Sequence, residues 1–482
     1  MVWCVTWRPP GGGVAAVDFR QKSNSQMADK NPTTVWLAQP NWCSKLRFSE
    51  LEHCINAHSL CSLDSCAKPD YLRFMAIVRP FRAYRPPPTV ALEVASPPYD
   101  VISTAEARVL AQDKPSSFLH VSRPEIDLPE GVDEHDDAVY AMGATNLQRL
   151  VVEGALVQDT EPHLYLYEQT MGKHRQVGVV GCASVAEYLT DRIKKHEKTR
   201  ADKEDDRTRH IQELGAHDEP VFLTYRKDAE IDALVASSVD GAPIYDFTTP
   251  DGVGHRLWVL SRQTTLDLEE RFEQAVSCLY VADGHHRSAA AARVHQASRG
   301  DGGEHDVFLA VVFPDDQMKI MPYNRVVRDL QSRSPETLLD ELRKVLRVDP
   351  VPDGEAATPT EPRTFGIYLA GKWYLARATM STDGDQDPVR SLDCSIVQDQ
   401  ILGPIFGVTD PRRDKHVDFV GGIRGYRELE KRVDSGEMTI GLHLYPTQIS
   451  QLFAVSDAGL LMPPKSTWFE PKLRSGLFVH VF

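Results

Sequence analysis

The feature that most constrains this chain is a strand that ends in an acid, turns at a glycine and runs straight into an alanine-rich helix. Tyr280-Val-Ala-Asp283-Gly284-His285-His286-Arg287 is followed by Ser-Ala-Ala-Ala-Ala-Arg. Residues 279–283 read as a short apolar strand and 284–296 as a helix. The first N–H groups of such a helix lack intrahelical partners and carry partial positive charge. Gly284 lets a ligand approach the backbone. Arg287 can hold oxyanions bidentately, and His285 and His286 can donate to them. Asp283 can hold Mg2+ or accept a proton. Together these make an anion cradle with an acid beside it. The simpler alternative is that Asp283 caps the helix and the histidines lie on the surface. Stability alone, however, would favour acids in a first turn.

Composition narrows the functional classes. The chain has 482 residues, 41% of them hydrophobic and 26% charged, as in a globular protein with a sizeable core. No apolar run approaches the roughly 20 residues needed to span a bilayer. A net charge of −15 repels nucleic-acid backbone, so neither nucleic acid nor membrane is expected as a partner. The 8 cysteines lack paired Cys-x-x-Cys spacing, which argues for free thiols in a reducing compartment and a cytoplasmic protein.

Along the chain, residues 1–73 lack sustained periodicity and read as a disordered or weakly structured extension. Two regions follow: 74–330, which carries the Asp-Gly-His-His-Arg turn, and 331–482, which completes the site. The expected class is α/β (α+β) with mixed sheets. Helices are expected over 104–112 with Thr104 as N-cap, and over 133–153, 266–276 and 334–348. Strands are expected over 163–169, 176–185, 220–225 and 307–313. A loop is expected over 350–362. A hairpin is expected over 364–378, turning at Ala370-Gly371.

Two further segments carry candidate chemistry. The first runs from Lys194 through His196, Glu197, Arg200, Lys203 and Arg207 to His210. On a helix, His196/Arg200, Lys203/Arg207 and Asp206/His210 share faces four residues apart. Such a face could present cations to phosphate with Glu197 as general base, or be a solvated face laced with salt bridges. The second is Met462-Pro-Pro-Lys465-Ser466-Thr467-Trp468-Phe469. A lysine with two hydroxyls suits phosphate or carboxylate, but no P-loop glycines precede it. Read alone, it is an ordinary surface turn. Asp100, in Ser96-Pro-Pro-Tyr-Asp, could be a ligand or an N-cap.

Taken together, these segments resemble domain-of-unknown-function family 1015. The resemblance covers about residues 74–482. It rests on Arg79-Pro-Phe, Pro97-Pro-Tyr-Asp100-Val-Ile, Ser117-Phe-Leu-His120-Val, His196-Glu197 with Thr199, and Pro220-Val-Phe. It rests also on Ala282-Asp-Gly-His-His-Arg287 and on Met462-Pro-Pro-Lys-Ser-Thr467 with Pro471-Lys472 and Ser475-Gly476. The Gly284–Arg287 stretch is also similar to the phosphate-binding strand-turn-helix of the ParB/sulfiredoxin superfamily, which includes a kinase that phosphorylates free serine. The sulfiredoxin reaction is not implied, because His285 stands where its reactive cysteine would be.

The resemblance implies a small-molecule kinase that transfers a phosphoryl group from pyrophosphate or a nucleotide to L-serine. Asp283, Glu197 and His286 would be catalytic, with Asp283 as the Mg2+ ligand. Gly284, His285, His286, Arg287, Lys203, Arg207, Lys465, Ser466 and Thr467 would bind phosphate. Asp100, His196 and Arg200 would read the amino acid. The alternative is a ParB-like nucleotide-binding regulator without turnover. A homodimer is compatible with either. One departure from the family pattern is Asn324, where a histidine is expected.

Overall fold

The computed structural model describes residues 76–298, 303–329, 331–379 and 387–482, together with the backbone of four strands nearer the start. Those four pair as Val2–Thr6 with Asp18–Lys22 and as Thr34–Gln39 with Trp42–Arg47. The rest of the extension expected over 1–73 lies outside the described residues, as do the side chains of its five cysteines.

The protein is α/β and built around a mixed nine-stranded sheet. In chain order its strands are β1 (Val78–Arg79), β2 (Tyr165–Met171), β3 (His174–Ser184), β4 (Ile193–Lys194), β5 (Val221–Tyr225), β6 (Tyr245–Thr248), β7 (Val253–Val259), β8 (Leu279–Asp283) and β9 (Val307–Pro314). Their spatial order is β4-β8-β5-β9-β3-β2-β7-β6, with β1 pairing β3. β4 runs parallel to β8 and β5 to β9, and the other pairs are antiparallel.

β9 shows why this sheet lies in the middle of the unit. Val307, Leu309, Val311 and Phe313 enter one core, while Phe308, Ala310 and Val312 enter another. Successive strand residues point to opposite faces, so an unbroken apolar run marks a strand buried on both sides.

The first core is shared with a second, antiparallel sheet of six strands. These are β10 (Tyr323–Val327), β11 (Leu346–Val351), β12 (Thr364–Leu369), β13 (Lys372–Ala378), β14 (Val417–Gly421) and β15 (Ile440–Leu444), in the order β11-β13-β12-β15-β10-β14. Tyr165, Phe222 and Tyr280 from the first sheet pack in one cluster with Phe365, Ile367 and Leu442 from the second. Residues 74–330 and 331–482 are thus joined by a common core, and 74–482 form one compact unit. The far face of the nine-stranded sheet is covered by helices, among them Arg262–Ala275, which contributes Leu268 and Phe272.

Three helices position the site: α1 (Asp137–Val152), α2 (Ala201–Leu214) and α3 (His285–Ala297). The alanine run of α3 has a packing reason besides propensity. Ala289, Ala291 and Ala292 face the sheet, while Ala290 and Val294 pack with Ile211 of α2. A helix pressed between a sheet and another helix needs small residues on both sides.

Several expectations are corrected. Ser103, not Thr104, caps the helix Thr104–Ala111, its hydroxyl accepting from the Glu106 amide at 3.3 Å. The helix expected over 334–348 ends at Val345, and the chain enters β11 at once. There Leu346 and Val348 are buried while Arg347 and Asp349 are exposed, a two-residue alternation that specifies a strand. The loop expected over 350–362 accordingly begins as the end of β11. The hairpin β12–β13 does turn at Ala370-Gly371, where φ values of 48° and 76° suit a two-residue turn. The β6–β7 hairpin was not foreseen. No helix among the described residues is long and apolar enough to cross a membrane.

Candidate functional site

The turn between β8 and α3 is built around Gly284, the N-cap of α3 at φ 93°. No side chain caps this helix. The Asp283 Oδ1 accepts from the Gly284 amide at 2.9 Å, not from the amides of the helix's first turn. Those amides are therefore left for another acceptor. Arg287 folds back over the turn: a β-carbon added at Gly284 would lie 3.1 Å from its guanidinium carbon. Its Nη1 donates to the Pro220 carbonyl. Arg287 is buried and forms no direct ion pair with a described carboxylate, although Glu219, Asp100 and Asp283 act on it from farther off. Burial works against its charge, and these three acids restore it, Glu219 most strongly.

Asp283 itself is paired. Its Oδ2 accepts from the Lys472 ammonium at 2.9 Å. Burial works against the carboxylate, but Lys472 and then Arg287 outweigh it and hold Asp283 well below the usual carboxylate range. Glu197 responds differently. Burial raises its carboxyl above the usual range, Lys465 and Lys472 pull it down, and Asp283 adds a repulsion that raises it further. Two acids in one electrostatic neighbourhood thus differ in proton affinity, and the one with raised affinity is the better proton acceptor near neutral pH.

The other expected residues divide into those that meet at the turn and those that do not. Asp100 lies exposed in the single turn Tyr99–Val101 and acts electrostatically on His286, Arg287, Lys465 and Lys472. Lys465 sits at φ 56° with its ammonium 5.6 Å from the Tyr323 ring centre. His286 is half-buried, and its Nε2 accepts from the Arg200 amide at 3.2 Å. His196 and His285 are buried, with ring centres 4.5 Å apart and planes at 88°. Burial lowers the His196 imidazole to about 4. It puts that of His285 well below its usual value, with His196 adding to the effect. Thr467 meets His196 Nε2 at 3.1 Å.

Arg200 is exposed, and its side chain pairs with Asp202 at 2.6 Å. It precedes α2, so the helical face expected to join His196 and Arg200 does not exist. Lys203 and Arg207 do share a face of α2. Arg207 is buried behind the turn, 2.9 Å from Asp206 and 4.1 Å from the centre of the Tyr99 ring. α2 is no solvated helix, for Asp206 also receives the Tyr140 hydroxyl of α1 at 2.9 Å. The Ser466 hydroxyl is buried, donates to the Pro463 carbonyl at 2.6 Å and lies 3.0 Å from Cys394. Asn324 lies in β10, fully buried, and its Oδ1 accepts from the Leu444 amide at 3.1 Å. The next residue, Arg325, donates to the carbonyls of Pro464 and Lys465 at 3.3 and 3.0 Å and so fixes the Lys465 loop.

Two residues at the site were assigned no role from the sequence. Lys472 is marked in the sequence only by the Pro471-Lys472 pair, and Glu219 precedes the strand expected from Pro220 with nothing local to single it out. Glu219 is buried, and its Oε1 accepts from the Tyr99 amide at 3.1 Å and the Ser475 hydroxyl at 2.7 Å. It thereby ties two loops together next to Arg287. Burial raises its carboxyl to about 7 against the pull of Arg287.

Magnesium was expected on Asp283. Mg2+ demands oxygen ligands in near-octahedral geometry and usually takes one or two carboxylates together with substrate phosphates. Here the Asp283 oxygens already accept from the Gly284 amide and from the Lys472 ammonium, so a metal would have to share the carboxylate with a cation. Among the described residues no group of three or more His, Cys, Asp or Glu is arranged to hold a metal ion. The described residues do not by themselves supply a complete magnesium ligand set.

The model of the family described as Protein of unknown function (DUF1015) matches residues 78–395. No curated protein matches the chain. Three solved structures are similar to it in part. A free serine kinase in complex with AMP is 12% identical over 62% of this chain and 91% of its own, with a TM-score of 0.32. A conserved hypothetical protein from Pyrococcus furiosus is 14% identical over 63% and 95%, with a TM-score of 0.30. SbnI with a C-terminal truncation, from Staphylococcus aureus, is 12% identical over 63% and 87%, with a TM-score of 0.32.

Proposed function

The chain belongs to the DUF1015 family of proteins of unknown function, and from that premise we propose that it is a phosphotransferase acting on a small molecule. It moves a phosphoryl group from pyrophosphate or a nucleotide to the hydroxyl of free L-serine, giving O-phosphoserine. One observation carries the reading. The first turn of α3 has no side-chain cap, and a buried Arg287 with no direct carboxylate partner is folded over it. Uncapped amides, a helix dipole and a desolvated guanidinium converge where an oxyanion would be held.

Phosphoryl transfer needs charge neutralisation and alignment more than covalent participation by the protein. Arg287 and the α3 amides hold the donor phosphates, with Lys465 and Lys472 adding positive charge nearby. Glu197, whose proton affinity is raised by burial, takes the proton of the serine hydroxyl. The serine oxygen then forms its bond to phosphorus as the bond to the leaving phosphate breaks and that phosphate takes the electron pair. Asp283, held ionised by Lys472, is a poor proton acceptor and orients the incoming hydroxyl. Asp100, exposed near the turn, meets the substrate ammonium in this reading.

The test is to incubate the purified chain with L-serine and, in turn, pyrophosphate, ATP and ADP, with and without Mg2+, and to assay phosphoserine by mass spectrometry. Product is expected with at least one donor, and Asp283→Asn and Glu197→Gln should each lower the rate by about 100-fold or more. Nucleotide binding without product from any donor would favour a nucleotide-gated regulator instead. Phosphate release that does not depend on serine would point to a hydrolase.

A further inference from the structure

We propose that Lys472, and not a protein-bound magnesium ion, is the cation that joins Asp283 to the phosphoryl donor. The inference rests on the reading of the α3 turn as a polyphosphate site. It concerns how that site neutralises charge and hence which form of the donor it accepts.

The argument starts from the donor count of an ammonium. A lysine Nζ carries three N–H donors. In the structure one goes to Asp283 Oδ2 at 2.9 Å, the Trp468 ring lies 4.6 Å away, and no second oxygen or nitrogen acceptor of this ammonium is found among the described residues. The side chain is mostly buried, so a bound anion would give this ammonium an acceptor where solvent has little access. Asp283 leads directly into Gly284 and the uncapped α3 amides, so an ammonium seated on Asp283 stands beside the place where the donor phosphate would lie.

Lys472 is also held in place independently of Asp283. Its ammonium lies 4.6 Å from the centre of the Trp468 ring, whose Nε1 donates to Glu470 Oε1 at 2.7 Å. The Lys472 amide donates to Glu470 Oε2 at 3.2 Å, and its carbonyl accepts from Gln169 Nε2 of β2 at 2.8 Å. The lysine is anchored through its backbone to the same sheet that carries the turn. A cation so fixed can touch the carboxylate and the donor at once, without leaving either. The ammonium already sits on Asp283 Oδ2, so a hydrated Mg2+ would have to compete with it for that oxygen.

The site should therefore accept pyrophosphate that carries no metal. Titration calorimetry with pyrophosphate in EDTA tests this on the full chain. Wild type is expected to bind, Lys472→Met to bind about tenfold more weakly or worse, and Lys472→Arg to stay within about threefold of wild type. Lys472→Met strands Asp283 without its partner, so Asp283→Asn/Lys472→Met, which removes both charges, serves as the well-folded control and should also bind weakly. The inference is overturned if Lys472→Met or the double variant binds pyrophosphate in EDTA as tightly as wild type. It is equally overturned if Mg2+ alone titrates into wild type at one equivalent and that binding is lost in Asp283→Asn. Wild type that binds neither pyrophosphate nor a nucleotide, with or without Mg2+, removes the polyphosphate reading itself, and the role of Lys472 with it.

Discussion

The Arg287 guanidinium lies directly over Gly284, 3.1 Å from where a β-carbon would stand at that residue. The contact makes the glycine necessary twice, for its φ of 93° and for the space above it. Gly284→Ala should therefore cost roughly 1–2 kcal/mol of stability from backbone strain. It should also displace Arg287 and weaken pyrophosphate binding by about tenfold or more. Urea denaturation and calorimetry read the two effects separately. Unchanged affinity in a folded Gly284→Ala protein would show that the position of Arg287 does not matter for the anion.

Arg287→Lys separates charge from geometry. The variant keeps one positive charge but loses the planar fork, which donates to the Pro220 carbonyl on one side and has nitrogens left for a ligand. Pyrophosphate affinity should fall by about tenfold or more, the loss of one charge-assisted hydrogen bond. Equal affinity for both proteins would mean that Arg287 acts as a point charge only.

Glu219 should make stability fall as pH rises. Its carboxyl titrates near 7 in the folded protein against a usual 4.5, because burial disfavours the charged form. Between these values the native state binds a proton that the unfolded chain has released. The contribution is thus complete below pH 4.5 and lost as pH climbs to about 7, by at most about 1.4 kcal/mol per pH unit. Glu219→Gln cannot ionise, so its stability relative to wild type should improve across that window and level off above it. Denaturation curves at pH 5, 6, 7 and 8 measure the difference, and a constant gap would contradict the assignment.

His443 should act in the opposite sense. It is buried in β15, its Nδ1 has no protein partner, and burial lowers its imidazole to about 4 against a usual 6.5. Between these values the unfolded chain binds a proton that the native state refuses. Its contribution is complete above pH 6.5 and is lost as pH falls toward 4, again by at most about 1.4 kcal/mol per pH unit. His443→Leu should therefore lose less stability than wild type on acidification from pH 7 to 5. Parallel losses in the two proteins would count against a neutral buried imidazole.

How much of this was legible depends on range. The strand Leu279–Asp283, the glycine and the helix His285–Ala297 could be read from one unbroken stretch of sequence, because apolar spacing, turn chemistry and helix propensity act between near neighbours. The Ala370-Gly371 hairpin was readable for the same reason. The helix projected past Val345 failed because the alternation of Leu346 and Val348 competes with helical spacing, and the sheet it joins outweighs local propensity.

The sequence by itself determined the strand-turn-helix: the glycine that turns the chain, the arginine one turn later and the acid before them. Only the tertiary structure decided what each charge does. Lys472 meets Asp283 across 189 residues of chain, Glu219 comes to rest beside Arg287, and His285 turns inward against His196. The physical reason is that a side chain's proton affinity and partners depend on its depth and on which distant segment the sheets bring alongside. Neither is marked in the residues that flank it.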